Sequence, residues 1–560
     1  MGGNRTKTGR TSSANTKRMS AFDRACTVLN ALFNRGVRHM VLSPGSRNAP
    51  VMLALSHFPN IQVTLQPDER SAAYTAMGVA QATNLPTVVC CTSGTAAANY
   101  LPAIVEAHYM QVPLIALTAD RPSTSVDQRR GQTIRQPHLY GDYVHSVINF
   151  SDDDLDEDLL GEILCCPDNG PTHINLPLSE PLYETVNFQP NVIPVDDILR
   201  PTVDPPKQAV ALLQNAERPM LLVGQMTSNQ PLSEELVKWK EASVLIAAEA
   251  LANQPRDLVI QHIDRWCRQD DFQPDLIVAI GRDWVSKTMK NRFTCPIIHI
   301  EDISKAPNAF GEVTVHYKTD ALRGLQQLRP YLSTYDKAFA EHWCAVDAQQ
   351  KNILDNTDYP WSDFTAIRQI MRQVESDELL HLGNSSVVRY GLLSLYGNFP
   401  IYSNRGTAGI DGSLSTAMGQ VIGAKQRGWC VLGDVSFFYD HNALWLKNPM
   451  CVPIVINNGG GHIFQLIDGP KKQPQIAEWQ QSPTGISVEH IAKAFGYHHL
   501  VADSESSLVA AITTARNANQ SYLIEVMVDS EVSVGVWEAL IKKLKIENWS
   551  KSSTTRGGNY

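Results

Sequence analysis

Gly433-Asp434-Val435-Ser436-Phe437-Phe438-Tyr439-Asp440 and, about two dozen residues on, Ile454-Val455-Ile456-Asn457-Asn458-Gly459-Gly460 decide how this chain is read. Each polar segment follows a short apolar run, 430–432 and 453–456, of the length and composition of a buried strand. Parallel strands joined through a helix bring their carboxyl ends to one edge of a sheet, where doubly wound folds bind ligands. A carboxylate, a side-chain amide and a glycine-rich backbone then converge on one point. These are hard oxygen donors, suited to an octahedral cation such as Mg²⁺ that keeps positions for water and for phosphates. The pattern predicts a metal-held diphosphate at the edge of a parallel sheet.

Working outward, the rest of the chain alternates in the same way. Residues 39–43, 61–66, 87–92 and 113–118 read as strands, the first three closing on Pro44-Gly45-Ser46-Arg47, Pro67-Asp68-Glu69-Arg70 and Ser93-Gly94-Thr95. Helices are predicted over 71–83, lined with Ala and Gly, and over 96–110. A second series of strands, near 219–223, 244–248, 276–280 and 297–300, follows a proline-rich link at 200–206. A third, near 379–382, 401–403, 430–432, 453–456 and 522–527, follows a charged helical stretch at 337–351. Strands separated by helices and short turns build parallel sheets. The fold class is therefore α/β, with three doubly wound parallel-sheet domains at 19–199, 200–345 and 346–550. No short repeat or coiled coil is present, which sets solenoids aside.

Composition narrows the function. At 560 residues, with 43% hydrophobic and 19% charged residues, the chain is an ordinary globular one of several domains. A net charge of −9 argues against nucleic acid or an anionic membrane surface as partner. No run approaches the ~18 apolar residues of a membrane span. The ten cysteines are scattered, with pairs at Cys90-Cys91 and Cys165-Cys166 but no Cys-x-x-Cys, so neither zinc nor a disulfide framework is expected. A reducing, cytoplasmic setting follows. Residues 1–18 are basic and free of acids, with Gly2 to Thr6 fitting the loose myristoylation pattern; they and 551–560 are expected to be disordered tails.

The Gly-Asp to Asn-Asn spacing resembles the cofactor signature of thiamine diphosphate enzymes. The resemblance implies pyrimidine-binding, middle and diphosphate-binding domains in that order. It implies that Asp434, the Asn458 side chain and the Gly460 carbonyl hold Mg²⁺, with Mn²⁺ as an alternative. Gly433, Ser436 and Ile463 would line the cofactor, and Ile410 would prop thiamine into its bent form. Glu69 stands where the superfamily has a glutamate that hydrogen-bonds the pyrimidine nitrogen and so acidifies the thiamine C2–H. That role needs a dry site that raises the carboxyl pKa. Read alone, Asp68-Glu69-Arg70 fits a helix cap equally well, since acidic side chains favour the N-terminus.

Further motifs sharpen the resemblance: Ser43-Pro44-Gly45-Ser46-Arg47-Asn48-Ala49-Pro50, Thr92-Ser93-Gly94-Thr95-Ala96, Thr118-Ala119-Asp120-Arg121-Pro122, Gln132-Thr133-Ile134-Arg135-Gln136-Pro137, Gly383-Asn384-Ser385-Ser386-Val387-Val388-Arg389, Ser403-Asn404-Arg405-Gly406-Thr407-Ala408-Gly409-Ile410-Asp411-Gly412 and Gly461-His462-Ile463-Phe464. In this order they are similar to the 2-succinyl-5-enolpyruvyl-6-hydroxy-3-cyclohexene-1-carboxylate synthase family of menaquinone biosynthesis; the middle domain matches weakly. The resemblance implies a transferase that decarboxylates 2-oxoglutarate and adds the remaining succinyl unit to isochorismate. Two dicarboxylates in one pocket need fixed cations, and arginine matches a carboxylate with paired hydrogen bonds. By resemblance, Asn384, Ser385, Arg389 and Arg405 face the succinyl carboxylate. Ser46, Arg47, Arg121 and Gln132 face isochorismate, with Lys287 reaching it from the middle domain and Ile463 and Phe464 as apolar walls. Glu69, Gln132, Arg389 and Arg405 are the expected catalytic set. This chain has Gly459 where some relatives carry a third Asn, which alters loop packing but keeps the metal ligands. The family also implies a cofactor shared between subunits of a homodimer or homotetramer. Two alternatives stay open. One is another thiamine diphosphate 2-oxoacid decarboxylase or synthase, whose small monocarboxylates would not call for four arginines and whose flavin-binding members carry a nucleotide site; no Gly-x-Gly-x-x-Gly is found here. The other is a non-catalytic binding protein on the same fold.

Overall fold

The computed structural model describes residues 19–544 apart from 153–154, 166–168, 192–202, 228, 263–272, 288, 291, 395–396, 467 and 484. The expected tails at 1–18 and 551–560, residues 545–550 and the start of the link at 200–206 lie outside the described residues.

Three sheets carry the described residues. In the first, β1 (His39–Leu42), β2 (Gln62–Leu65), β3 (Thr87–Cys91), β4 (Leu114–Asp120), β5 (Ser146–Asn149) and β6 (Thr172–Pro177) stand in the order β2-β1-β3-β4-β6-β5. In the second, β7 (Pro219–Val223), β8 (Leu245–Ala248), β9 (Leu276–Ile280), β10 (Ile297–Ile300) and β11 (Val315–Tyr317) stand as β11-β10-β9-β7-β8. In the third, β12 (Leu379–Leu382), β13 (Ile401–Tyr402), β14 (Gly428–Gly433), β15 (Cys451–Asn457), β16 (His498–Ala502) and β17 (Tyr522–Met527) stand as β13-β12-β14-β15-β17-β16. Every ladder between these strands is parallel. Central strands such as β3, β7 and β9 are buried along their whole length, as strands covered on both faces by helices must be. This is the expected fold class.

Four strands escape the periodicity reading. β5, β11 and β16 are short or partly exposed edges, while β6 is wholly buried yet reads Thr172-His173-Ile174-Asn175-Leu176-Pro177. Its polar residues survive burial because they are paired: Thr118 Oγ1 lies 2.9 Å from both His173 Nε2 and Asn175 Oδ1.

The helix Glu69–Thr83, N-capped by Asp68, packs along the helix Ser413–Ala424 of the third domain. Their small residues are in contact: a Cβ on Gly78 would stand 2.9 Å from the Thr416 carbonyl carbon, and one on Gly419 2.8 Å from that of Thr75. The Ala/Gly lining seen in the sequence is thus used for a close helix contact inside one chain. The helix Lys337–Asn356 runs through the expected boundary at 345/346. Phe339, Trp343 and Val346 join the middle core and Leu354 joins the third, so this helix belongs to both domains. Among the described residues no helix is long and apolar enough to cross a membrane.

Candidate active site

β14 and β15 are neighbours in register, Gly433 opposite Ile456, so the two segments that opened the sequence reading share one sheet edge. The helix Asp434–Asp440 begins directly after β14, and Asp434 is buried at its first position. One Asp434 oxygen accepts the Val435 N–H at 2.8 Å; Oδ2 is buried with no partner. Asn458 donates through Nδ2 to Asp363 Oδ2 at 2.9 Å, which leaves its Oδ1 buried and unpartnered as well. Asn457, by contrast, is turned to Glu525 at 2.6 Å. Gly460 has φ 139°, and a Cβ there would run into Gln481 O, so only glycine fits. Burial raises the Asp434 pKa, opposed by the Val435 N–H, by His462 and by the N–H groups of Gly459 and Gly460.

Two buried oxygens without partners are costly unless something meets them. Among the described residues no group of three His, Cys, Asp or Glu side chains could hold a metal. One carboxylate, one amide and a glycine-rich turn instead fit a hard cation that takes its remaining ligands from water and phosphate. Ser436 does not offer a free donor, since its hydroxyl bonds the Ile410 carbonyl at 2.8 Å and ties the two loops together. Ile463 and Phe464 are half-buried in the short helix Ile463–Leu466 just beyond His462.

At the edge of the first sheet, Asp68 performs the capping, accepting from Ser71 N at 2.9 Å and from Asn442 Nδ2 at 2.6 Å. That leaves the half-buried Glu69 carboxyl spare. Burial raises its pKa, and Asp68 beside it adds to the rise while its own N–H opposes it. Arg70 donates to Tyr439 O at 2.6 Å, so Glu69 and Asp434 lie towards opposite ends of the helix Asp434–Asp440.

The arginines fall into two groups. Arg405 Nη1 donates to Asn384 Oδ1 at 2.6 Å, and Arg389 Nη1 to Ser385 O at 2.5 Å. Asn384 is itself fixed by donating to Asn404 O at 2.6 Å and Gly409 O at 2.7 Å. Burial, then the charge of Arg405, lowers the Arg389 pKa, so the guanidinium groups are close enough to repel. Arg405 Nε is buried without a partner. In the other group, Arg47 is buried and donates to Leu178 O at 2.9 Å and Glu180 Oε1 at 3.4 Å. Burial and then Arg121 lower its pKa, and Arg121 Nε is likewise buried and unpartnered. Gln132 packs beside Gly94 with its carbonyl accepting from Ser93 Oγ at 2.9 Å; Gln132, Ser46 and Lys287 are exposed.

Sequence reasoning passed over Asp363, which orients the Asn458 amide and accepts Ser533 Oγ at 3.2 Å. Its position after the cap Ser362 disguises it as an ordinary helix start. It also passed over Gln136, which accepts Gly94 N at 2.9 Å and donates to Asn175 Oδ1 at 3.0 Å, holding the loop after β3. Asn175 in turn donates to Asp120 at 3.0 Å, just before Arg121.

Comparison with known proteins places these domains in a family. Residues 25–139 match the thiamine pyrophosphate enzyme N-terminal TPP binding domain and residues 382–526 the C-terminal TPP binding domain. The chain is 31% identical over 529 residues to 2-succinyl-5-enolpyruvyl-6-hydroxy-3-cyclohexene-1-carboxylate synthase of Flavobacterium johnsoniae, covering 89% of this chain and 94% of that protein. The synthase of Porphyromonas gingivalis is 32% identical, with 89% and 93% covered, and that of Desulfotalea psychrophila 33%, with 82% and 90% covered.

Proposed function

The chain belongs to the 2-succinyl-5-enolpyruvyl-6-hydroxy-3-cyclohexene-1-carboxylate synthase family, and from that premise we propose that it transfers the succinyl unit left by decarboxylation of 2-oxoglutarate onto isochorismate, a step of menaquinone biosynthesis. One observation carries the reading beyond the cofactor: two separate arginine pairs, each with a buried and unpartnered Nε, at Arg121 and Arg405. Two dicarboxylate substrates call for such a divided set of cations.

Thiamine diphosphate, when bound, supplies the electron sink for decarboxylation. The chain's own residues bind, orient and neutralise. Asp434 Oδ2, Asn458 Oδ1 and the Gly460 carbonyl would hold Mg²⁺, with Asp363 fixing the Asn458 amide, and Gly433 and Ser436 would lie beside the diphosphate. Ile410 and Ile463 would wall the thiamine. Glu69, whose carboxyl burial pushes above the usual range, would hydrogen-bond the pyrimidine nitrogen. Arg389 and Arg405, with Asn384 and Ser385, take the distal carboxylate of the 2-oxoacid. Ser46, Arg47, Arg121, Gln132 and Lys287 take isochorismate, and Phe464 covers the ring.

A second copy of the chain completes the site, giving a homodimer or a pair of dimers. Leu65 on the edge strand β2 is 57% exposed, and Tyr439 and Trp445 are 53% and 55% exposed. Apolar side chains left open next to Glu69 suit burial by a partner. The enzyme works in the cytoplasm.

The direct test incubates the protein with thiamine diphosphate, Mg²⁺, 2-oxoglutarate and isochorismate and identifies the product by mass. The division of the pocket is tested by kinetics of Arg405→Ala and Arg121→Ala. Truncating one partner of a buried charge pair costs about 2–5 kcal/mol, roughly thirty- to several-thousand-fold in kcat/KM. The loss should fall on 2-oxoglutarate for the first variant and on isochorismate for the second. Equal losses for both substrates in both variants would end the assignment.

A further inference from the structure

Arg405 sits on a segment that both other domains grip. Before it, the middle domain's Asn253 accepts Ile401 N at 2.7 Å and donates to Ile401 O at 2.9 Å, while Gln225 donates to Ser403 O at 2.7 Å. After it, Glu106 of the first domain accepts the Gly406 N–H at 2.8 Å, the Thr407 N–H at 2.7 Å and the Thr407 hydroxyl at 2.6 Å. The backbones are in direct contact there: a Cβ on Gly406 would stand 2.9 Å from Glu106 O and 3.0 Å from Tyr109 Cβ.

Glu106 is 1% exposed, in the helix Leu101–Met110 whose other buried residues are Ala103, Ile104, Ala107 and Met110. A buried charge needs a reason, because apolar packing would hold two domains together at less cost. Its three donors supply the compensation, and only a carboxylate can receive all three: a glutamine would turn an NH₂ toward one of them. The clamp is therefore specific to an anion and acts on the two residues after Arg405. The Arg405 guanidinium also lies within the electrostatic reach of Glu249, Asp283 and Glu106. A flexible arginine offers paired hydrogen bonds in a useful direction only when its backbone is fixed.

We propose that Glu106 is a positioning residue for Arg405: by holding Gly406 and Thr407 it sets where the guanidinium meets the distal carboxylate of the 2-oxoacid, with Asn253 and Gln225 securing the other side. This rests on the assignment of Arg405 to that carboxylate.

The test uses the full chain loaded with thiamine diphosphate and Mg²⁺. Glu106→Ala should raise the KM for 2-oxoglutarate about ten- to hundred-fold, the range of a lost charge-assisted hydrogen-bond set. The isochorismate KM and the cofactor affinity should stay within about twofold, and Glu106→Gln should fall between wild type and alanine. With 2-oxopentanoate, which lacks the distal carboxylate, Glu106→Ala and wild type should behave alike. In an Arg405→Ala background, Glu106→Ala should add nothing further, because the positioned group is gone. Gln225→Ala, which removes one neutral hydrogen bond from the same segment, should raise the same KM severalfold and serves if Glu106→Ala does not fold. Equal damage to both substrates or to cofactor affinity would make Glu106 merely structural and overturn the proposal. An unchanged 2-oxoglutarate KM in Glu106→Ala, with Arg405→Ala impaired, would overturn it while leaving the Arg405 assignment standing. An unimpaired Arg405→Ala would remove that assignment and the proposal together.

Discussion

Gly419→Ala probes the contact that registers Glu69 against the loop carrying Arg405 and Ile410. A Cβ at 419 would stand 2.8 Å from the Thr75 carbonyl carbon and 2.9 Å from Val79 N, with Thr75 O closer still. Comfortable contacts to carbon and oxygen begin at about 3.2–3.5 Å, so the helices Glu69–Thr83 and Ser413–Ala424 would have to part by roughly 1–1.5 Å. Helix propensity alone predicts the opposite sign, since alanine is favoured over glycine by about 1 kcal/mol in a helix interior. Overpacking costs about 1–3 kcal/mol, and here the obstacle is backbone, with no rotamer to yield, which puts the cost at the upper end. The balance is a net loss of about 2 kcal/mol. Urea unfolding followed by tryptophan fluorescence should show the midpoint falling by roughly 0.5–1 M. Thiamine diphosphate affinity should fall with it, because the displaced helix begins at Glu69. Gly78→Ala meets Thr416 in the same way. One separation relieves both clashes, so the double variant should lose less than the sum of the single ones. An unchanged or higher midpoint in Gly419→Ala would refute the reasoning, since propensity would then outweigh the contact.

Three further outcomes are expected. Glu69→Gln should keep the fold and cofactor affinity but lose nearly all turnover, with slowed exchange of the thiamine C2 proton by NMR; exchange at the wild-type rate would clear Glu69 of the role. Asp434→Ala should bind thiamine diphosphate weakly at any Mg²⁺ concentration usable in buffer, because the diphosphate charge is left uncompensated, and calorimetry showing unchanged affinity would exclude this site. Asp440, buried and held by Ser415 N at 2.8 Å and Ser415 Oγ at 2.6 Å, is pushed by burial up to about 7. The folded chain then binds a proton that the unfolded chain, with its Asp near 3.9, releases, so stability declines as pH rises from about 4 to about 7 and then levels. Asp440→Asn should flatten that decline, and a variant whose urea midpoint keeps the wild-type slope across this window would show that another group is responsible.

The alternation of apolar runs with glycine-rich turns determined by itself that the chain builds three parallel sheets, because strands covered on both faces must be apolar along their length. Asp434 and Asn458 could be placed for a related reason, since they follow β14 and β15 at the sheet edge where topology puts a ligand, whereas Glu69 follows the exposed edge strand β2. Tertiary structure alone decided which oxygens are left open. Asn457 and Asn458 are neighbours of the same type, yet one is spent on Glu525 and the other is held by Asp363, 95 residues away, with its Oδ1 left unpartnered. The same holds for β6, whose His173 and Asn175 look unfit for a core until Thr118 is placed beside them. The Ala/Gly helix announced a close approach, but its partner, Ser413–Ala424 of the same chain, was not written in its spacing. Glu106 shows the limit most plainly: a lone acid in a small, apolar helix finds its three donors 300 residues downstream. Burial leaves a periodic trace in the sequence because each element must present one face to the core, whereas hydrogen bonds between elements distant in the chain have no period and exist only once the domains are packed.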